Sequence, residues 1–394
     1  MAIPTNIDLP PYQVQTLLNE AFSQTSSRIT CAQALGNDIY IGTSTGELFQ
    51  FMSQTDEAGQ LDAYIIVSRQ LVPGEKPIED IVLIPSISRA LILSGRQIHF
   101  YSLPNLEPHP TKPIRNVMAF AVDDQHLRRP VVKANATLGY DSVVDPIEFS
   151  VVKRNGIAMF SLKDHLFYSR EIPLPPSQGS TTVLAKRTGR YLCFADKENY
   201  NIVDLEGAQL VPLLPISQGP SPTPIKPKIN VISENEFLIL SWTGSSTLGL
   251  FVTGEGDPVR GTLEWPAYPL GICACRFHDD WGNLSTSPIP GLDYPFITTL
   301  LPDGSIEVHS VDTQAPVQVI GPPLATSPPT SPSRRHATSP NSPRAQNQAP
   351  NNNAELEQRI AMVVSVGGFQ VPSSQRAECT RKVPFKLLRT EQGT

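Results

Sequence analysis

Short apolar runs separated by polar turns recur along the chain. In residues 38–51 (DIYIGTSTGELFQF), two such runs, 39–42 and 47–51, flank a polar turn containing Gly46. β-Branched and aromatic residues suit strands, and glycine supplies turn dihedrals that other residues resist. The same arrangement returns at residues 89–103, 149–162, 190–205, 237–252 and 296–311. Six copies, roughly 40 to 60 residues apart, describe a repeated β unit, so the repeat governs how every other feature is read.

The first unit is expected to run as strands over 29–35, 38–43, 47–53 and 62–70, and the second over 78–85, 89–94 and 97–103, with a poor fourth strand before Pro113. The third uses 117–122, 147–153, 157–162 and 166–172, interrupted by a polar insertion over 123–145. The fourth uses 182–186, 191–195, 201–205 and 209–213; the fifth 229–233, 237–242, 248–253 and 261–265; the sixth 270–276, 296–301, 305–311 and 316–320. Most of these runs are continuously apolar, as expected when neighbouring sheets cover both faces.

Residues 321–353 contain eight prolines, no acidic residue and few apolar side chains. Burial there cannot offset ordering entropy, so the segment is expected to be a disordered insertion. Its four Ser-Pro steps, at Ser327, Ser331, Ser339 and Ser342, lie near Arg334, Arg335 and Arg344. Phosphorylation would reverse the local charge, although a tolerated loop is the plainer reading. Apolar runs resume at 360–366, 368–371 and 385–388, making a seventh unit of residues 354–394. Residues 13–21 fit a helix turn or a strand; in a ring of blades, the segment 1–28 can close the last blade. Residues 29–320 hold the other six. The expected fold is all-β, a seven-bladed β-propeller.

The 394 residues are 40% hydrophobic, ample for a large core. A formal charge of −6 gives no support for nucleic-acid or direct membrane binding. Five scattered cysteines fit a reducing, intracellular compartment. The N-terminus lacks the basic and apolar regions of a signal peptide, and no window reaches the roughly 18 apolar residues of a membrane span. The acceptor patterns at Asn135 and Asn283 then read as chance.

Motifs with chemistry are weak. Gly42-Thr-Ser44-Thr-Gly46 matches a nucleophile elbow, but a strand follows it where a helix is needed, so Ser44 reads as a hairpin residue. No phosphate-binding glycine loop is present. Cys273 and Cys275 share a strand face without two further zinc ligands at suitable spacing. Seven histidines stand singly, and Asp279-Asp280-Trp281-Gly282 reads as solvated loop charge. The basic pairs Arg128-Arg129, Lys153-Arg154 and Lys186-Arg187 suit solvated turns; two of them fall in neighbouring units, which suggests a shared surface for an acidic partner. The expected innermost strands are almost wholly apolar, against an enzyme with a central site. No catalytic residue, cofactor or metal is expected.

Trp-Asp dipeptides, kelch double glycines and sialidase Asp boxes are missing from the repeats. The segments 29–51, 78–108, 153–175, 191–207 and 294–320 instead resemble the citron homology (CNH) domain of endolysosomal tethering subunits. They are most similar to fungal CORVET subunits related to the transforming growth factor-β receptor-associated proteins, with the sister complex HOPS as the alternative. The resemblance implies a tether and not an enzyme: a propeller capping an α-solenoid, recognising a Rab GTPase and other tethering subunits. It implies a cytoplasmic protein, peripheral on endosomes or the vacuole, that meets the membrane only through the GTPase. The chain stops at Thr394 before any helical repeat, so it is expected to be an N-terminal piece. Paired basic loops with exposed aromatics would complement the apolar and acidic groups of a switch region, and Lys153, Arg154, Lys186 and Arg187 are the residues expected to bind the partner. The alternative is a passive scaffold that holds tether subunits without GTPase contact.

Overall fold

The computed structural model describes residues 12–16, 27, 29–35, 38–55, 61–127, 145–221, 225–275, 296–321, 363–365, 368–372 and 377–382. The polar insertion after Leu127, the loop of Asp279 and Trp281, Arg128, Arg129, all four Ser-Pro serines and the expected strand 385–388 lie outside these residues.

Antiparallel sheets follow one another along the chain. Blade one is Ile29–Leu35, Asp38–Thr43, Glu47–Thr55 and Leu61–Leu71, hydrogen-bonded in that order. Blade two is Ile78–Ile84, Arg89–Ser94 and Gln97–Ser102. Its outer position is shared by the two-residue strands Glu107–Pro108 and Ile114–Arg115, because prolines at 104, 108, 110 and 113 leave too few N–H donors for a longer ladder. Blade three is Ala119–Val122, Ile147–Lys153, Gly156–Leu162 and Leu166–Pro173. Blade four is Leu184–Thr188, Tyr191–Ala195, Asn199–Asp204 and Gln209–Pro215. Blade five is Ile229–Ser233, Glu236–Trp242, Thr247–Thr253 and Leu263–Trp265, and blade six is Gly271–Cys275, Phe296–Leu300, Ile306–Ser310 and Pro316–Ile320.

The fold is an all-β propeller. Six blades are described with side chains, one fewer than the seven expected. The remaining sheet joins both ends of the chain, in the order Tyr12–Thr16, Ala377–Lys382, Gly368–Pro372 and Val363–Ser365, and is described by its backbone pairing.

The core lies between blades. Phe149 and Val151 pack with Leu91, Leu93 and Phe100 of blade two, whereas Val152 packs with Ala185, Leu192 and Phe194 of blade four. Successive strand residues point to opposite faces, and both faces are covered, which explains the continuous apolar runs. Similar clusters join blade one to two, four to five and five to six.

Candidate partner-binding site

The strand order fixes where each basic residue goes. Ala119 pairs with Val152, so Lys153 and Arg154 lie at the end of blade three where its innermost strand begins. Arg187 lies near the finish of the innermost strand of blade four, bridged to Asp123 at the finish of its counterpart in blade three. The two basic pairs therefore occupy opposite ends of the blades, and the shared surface expected of them does not form.

Arg187 is also buried, at 4% exposure. Its Nη2 lies 2.6 Å from the Glu148 carboxylate and 3.9 Å from that of Asp123. Its Nε donates to the Gly189 carbonyl at 2.9 Å. Two carboxylates consume its charge in a staple between blades three and four, so Arg187 is not a partner-binding residue. Lys186 is half-buried on the innermost strand of blade four. Burial pushes the Asp80 carboxyl up, and the Lys186 ammonium partly opposes that rise. Asp80 belongs to the innermost strand of blade two. Lys186 thus lies on the innermost strand of its blade, toward the ring axis and away from Lys153 and Arg154.

Lys153 and Arg154 remain at the surface, with basic neighbours that the sequence did not single out. Arg96 is exposed in the tight turn of blade two, where Gly95 and Arg96 have φ of 54° and 60°. Exposed Arg115 stands beside this turn, since its strand partner is Gln97. The Val117 N–H donates to the Arg96 carbonyl and the Met118 N–H to the Val152 carbonyl, at 3.0 and 2.9 Å. Arg96, Arg115, Lys153 and Arg154 thus form one corner spanning blades two and three. Two carboxylates moderate its charge. Burial pushes Glu79 up while the N–H and guanidinium of Arg96 pull it down. Glu171 lies against Gly156, where an added Cβ would come within 2.8 Å of its Oε1.

Aromatic side chains extend the corner outward. The Lys153 Nζ lies 5.8 Å from the centre of the Phe160 ring, close enough for a cation–π contact. Phe160 meets Tyr168 edge-to-face at 5.7 Å, and Tyr168 is 56% exposed. Adjacent Phe167 is 62% exposed. The short outer strands of blade two leave the Tyr168 side of blade three uncovered, and Phe167 is exposed on the opposite face of the same strand. The sequence signal was Phe167-Tyr168 within a strand: adjacent residues take opposite faces, so an outermost strand with one open side exposes at least one ring.

The described residues contain no group of three or more His, Cys, Asp and Glu side chains that could hold a metal. Burial pushes the Cys31 and Cys193 thiols up, away from thiolate character. Among the described residues no helix is long and apolar enough to cross a membrane.

This propeller has known relatives. The Pan2 WD40 domain of Neurospora crassa superposes with a TM-score of 0.55 at 10% identity, covering 91% of each chain; at that identity the likeness shows the fold alone. Vacuolar protein sorting-associated protein 3 of Saccharomyces cerevisiae is 24% identical over 276 residues, 68% of this chain and 25% of that protein. Transforming growth factor-beta receptor-associated protein 1 of Mus musculus is 23% identical over 297 residues, 74% of this chain and 30% of that protein. The match therefore spans less than a third of either relative. Residues 25–276 fit the family model of the VPS3 N-terminal domain, and the chain belongs to that family.

Proposed function

We propose that this domain is the Rab GTPase-binding head of a CORVET-like tether on endosomes, acting in vesicle fusion and vacuolar protein sorting. Membership in the VPS3 N-terminal domain family supports a sorting role. The observation that carries the GTPase reading is the corner of blades two and three, where Arg96, Arg115, Lys153 and Arg154 lead through Phe160 to the exposed ring of Tyr168, with exposed Phe167 on the other face of the same strand. A GTPase switch region offers acidic and apolar groups, and a basic corner beside exposed aromatics is their complement. In this reading the propeller is CNH-type and closes as seven blades. Its support is that Val363–Ser365 runs beside both Ile29–Leu35 of blade one and Gly271–Cys275 of blade six. Binding the GTPase would hold the protein at the cytoplasmic face of endosomes or the vacuole without direct insertion in the membrane.

Retention of early and late endosomal Rab GTPases by the immobilised domain, each loaded with GTP analogue or GDP, tests this. Selective retention of an early endosomal Rab with GTP analogue is expected. Selective retention of a late one moves the protein to a HOPS-like tether, and no nucleotide-dependent retention contradicts GTPase binding.

A second observation favours subunit holding. The outer strand of blade one exposes Ile65, Ile66 and Val67 consecutively, at 37%, 46% and 44%. Consecutive exposed apolar residues on an edge strand suit a permanent protein neighbour. If substitutions there release other tether subunits and none at the basic corner affects any partner, the domain is a scaffold without GTPase contact.

A further inference from the structure

Two clefts flank the turn between the second and third strands of blade four. One, about 550 Å³, lies toward the short helix Pro176–Gly179, with Gln178, Tyr200, Asn201, Pro212 and Leu213 in its lining. The other, about 420 Å³, lies toward blade five, with Pro215, Ile216 and Ile225 in its lining. Lys197, Glu198 and Asn199 line both, so the clefts form one groove bent around this turn. The Asp196 carboxylate fixes the turn, accepting from the N–H groups of Glu198 and Asn199 at 2.7 Å each. The Ile216 N–H ties the far wall to the Glu198 carbonyl at 2.7 Å. The groove is therefore built before any occupant arrives.

Its lining carries two unanswered amides. Asn201 is 2% exposed, yet among the described residues its Nδ2 has no hydrogen-bond partner; the buried Oε1 of Gln178 has none either. Leaving a buried polar group unpaired is costly, and a matching ligand recovers that cost. The two unpaired atoms are one donor, Asn201 Nδ2, and one acceptor, Gln178 Oε1.

We infer that this groove binds an extended peptide segment of a partner protein. A peptide unit presents one C=O and one N–H, the complement of the Asn201 and Gln178 amides, and Leu213, Ile216 and Ile225 offer apolar contact to alternate side chains. The groove volumes fall within the range of ~300–1,000 Å³ usual for ligand clefts. The inference stands without the GTPase reading, although the helix Pro176–Gly179 that walls the groove abuts the Lys153–Arg154 backbone.

Selection of short random peptides displayed on phage against the intact domain tests this. Enriched peptides should bind the unaltered domain, lose affinity on the order of tenfold with Gln178→Ala, and be excluded by Pro212→Arg, which fills the cleft from an exposed position. N-methylation of one central peptide bond should abolish binding. Asn201→Leu is the sharpest variant; should it unfold, the two surface variants carry the test. Failure to enrich any peptide, or enriched peptides whose affinity ignores both Gln178→Ala and Pro212→Arg, overturns the inference.

Discussion

Arg187 of blade four and Glu148 of blade three meet at 2.6 Å across the boundary between their blades, and this ion pair decides the fate of one predicted binding residue. Asp123 stands 3.9 Å from the same guanidinium and is 3% exposed. Its Oδ1 also accepts from the N–H groups of Gln125 and Gly189, at 3.1 and 3.0 Å.

Arg187→Met should therefore destabilise the domain, because Asp123 would keep a buried charge without its cation. The expected loss is about 2–4 kcal/mol, below the upper range for fully buried pairs because the Glu148 side chain is half exposed. Glu148→Gln should cost less than about 1 kcal/mol, as expected of a partner in contact with water. Urea unfolding with unchanged slopes reads both, and equal losses would contradict the asymmetry.

The sequence made the repeat legible and left the site mostly hidden. The first two strands of blade one fall where the apolar runs place them, Ile29–Leu35 and Asp38–Thr43, because a buried strand needs only its own pattern to be seen. The fate of a basic residue depends on what stands opposite. Lys186-Arg187 and Lys153-Arg154 look alike in sequence, but the carboxylates that neutralise Arg187 lie 39 and 64 residues away (187 − 148 and 187 − 123). Likewise Arg96 and Arg115 join Lys153 only through the pairing of blade two and the Met118–Val152 hydrogen bond. The exposure of Tyr168 depends on the proline-shortened edge of the preceding blade, whereas Phe167 takes the opposite face of the same outermost strand.

His309 gives a pH signature. Its ring is 2% exposed, stacked edge-on against Trp265 with centroids 5.2 Å apart, and burial pushes its pKa down to about 4. Its Nε2 lies 3.7 Å from Glu307, whose carboxyl burial pushes up. Between pH 4 and about 6.5 the unfolded chain takes a proton that the folded domain refuses, so stability should fall as pH drops through this window. Glu307 acts in the opposite sense, and comparison with His309→Phe isolates the histidine: the variant should lose less stability on acidification. Parallel curves of melting temperature against pH would contradict the assignment.

Gly249 should resist any side chain. An added Cβ would lie 2.7 Å from Cζ3 of the fully buried Trp265, which reaches over Gly249 from the diagonal position of the adjacent strand. Gly249→Ala should cost about 1–3 kcal/mol through overpacking. A melting temperature equal to that of the unaltered domain would show that the indole can move aside.

The central claim is a nucleotide-dependent GTPase contact at the basic and aromatic corner. Its most direct test is the equilibrium affinity of an early endosomal Rab, loaded with GTP analogue or GDP, for the unaltered domain, for Lys153→Glu/Arg154→Glu and for Phe167→Ser/Tyr168→Ser. The account predicts preference for the GTP analogue, reduced on the order of tenfold or more by both double variants while melting temperatures hold. Equal affinity for both nucleotide states, or a preference that survives both double variants, would contradict it.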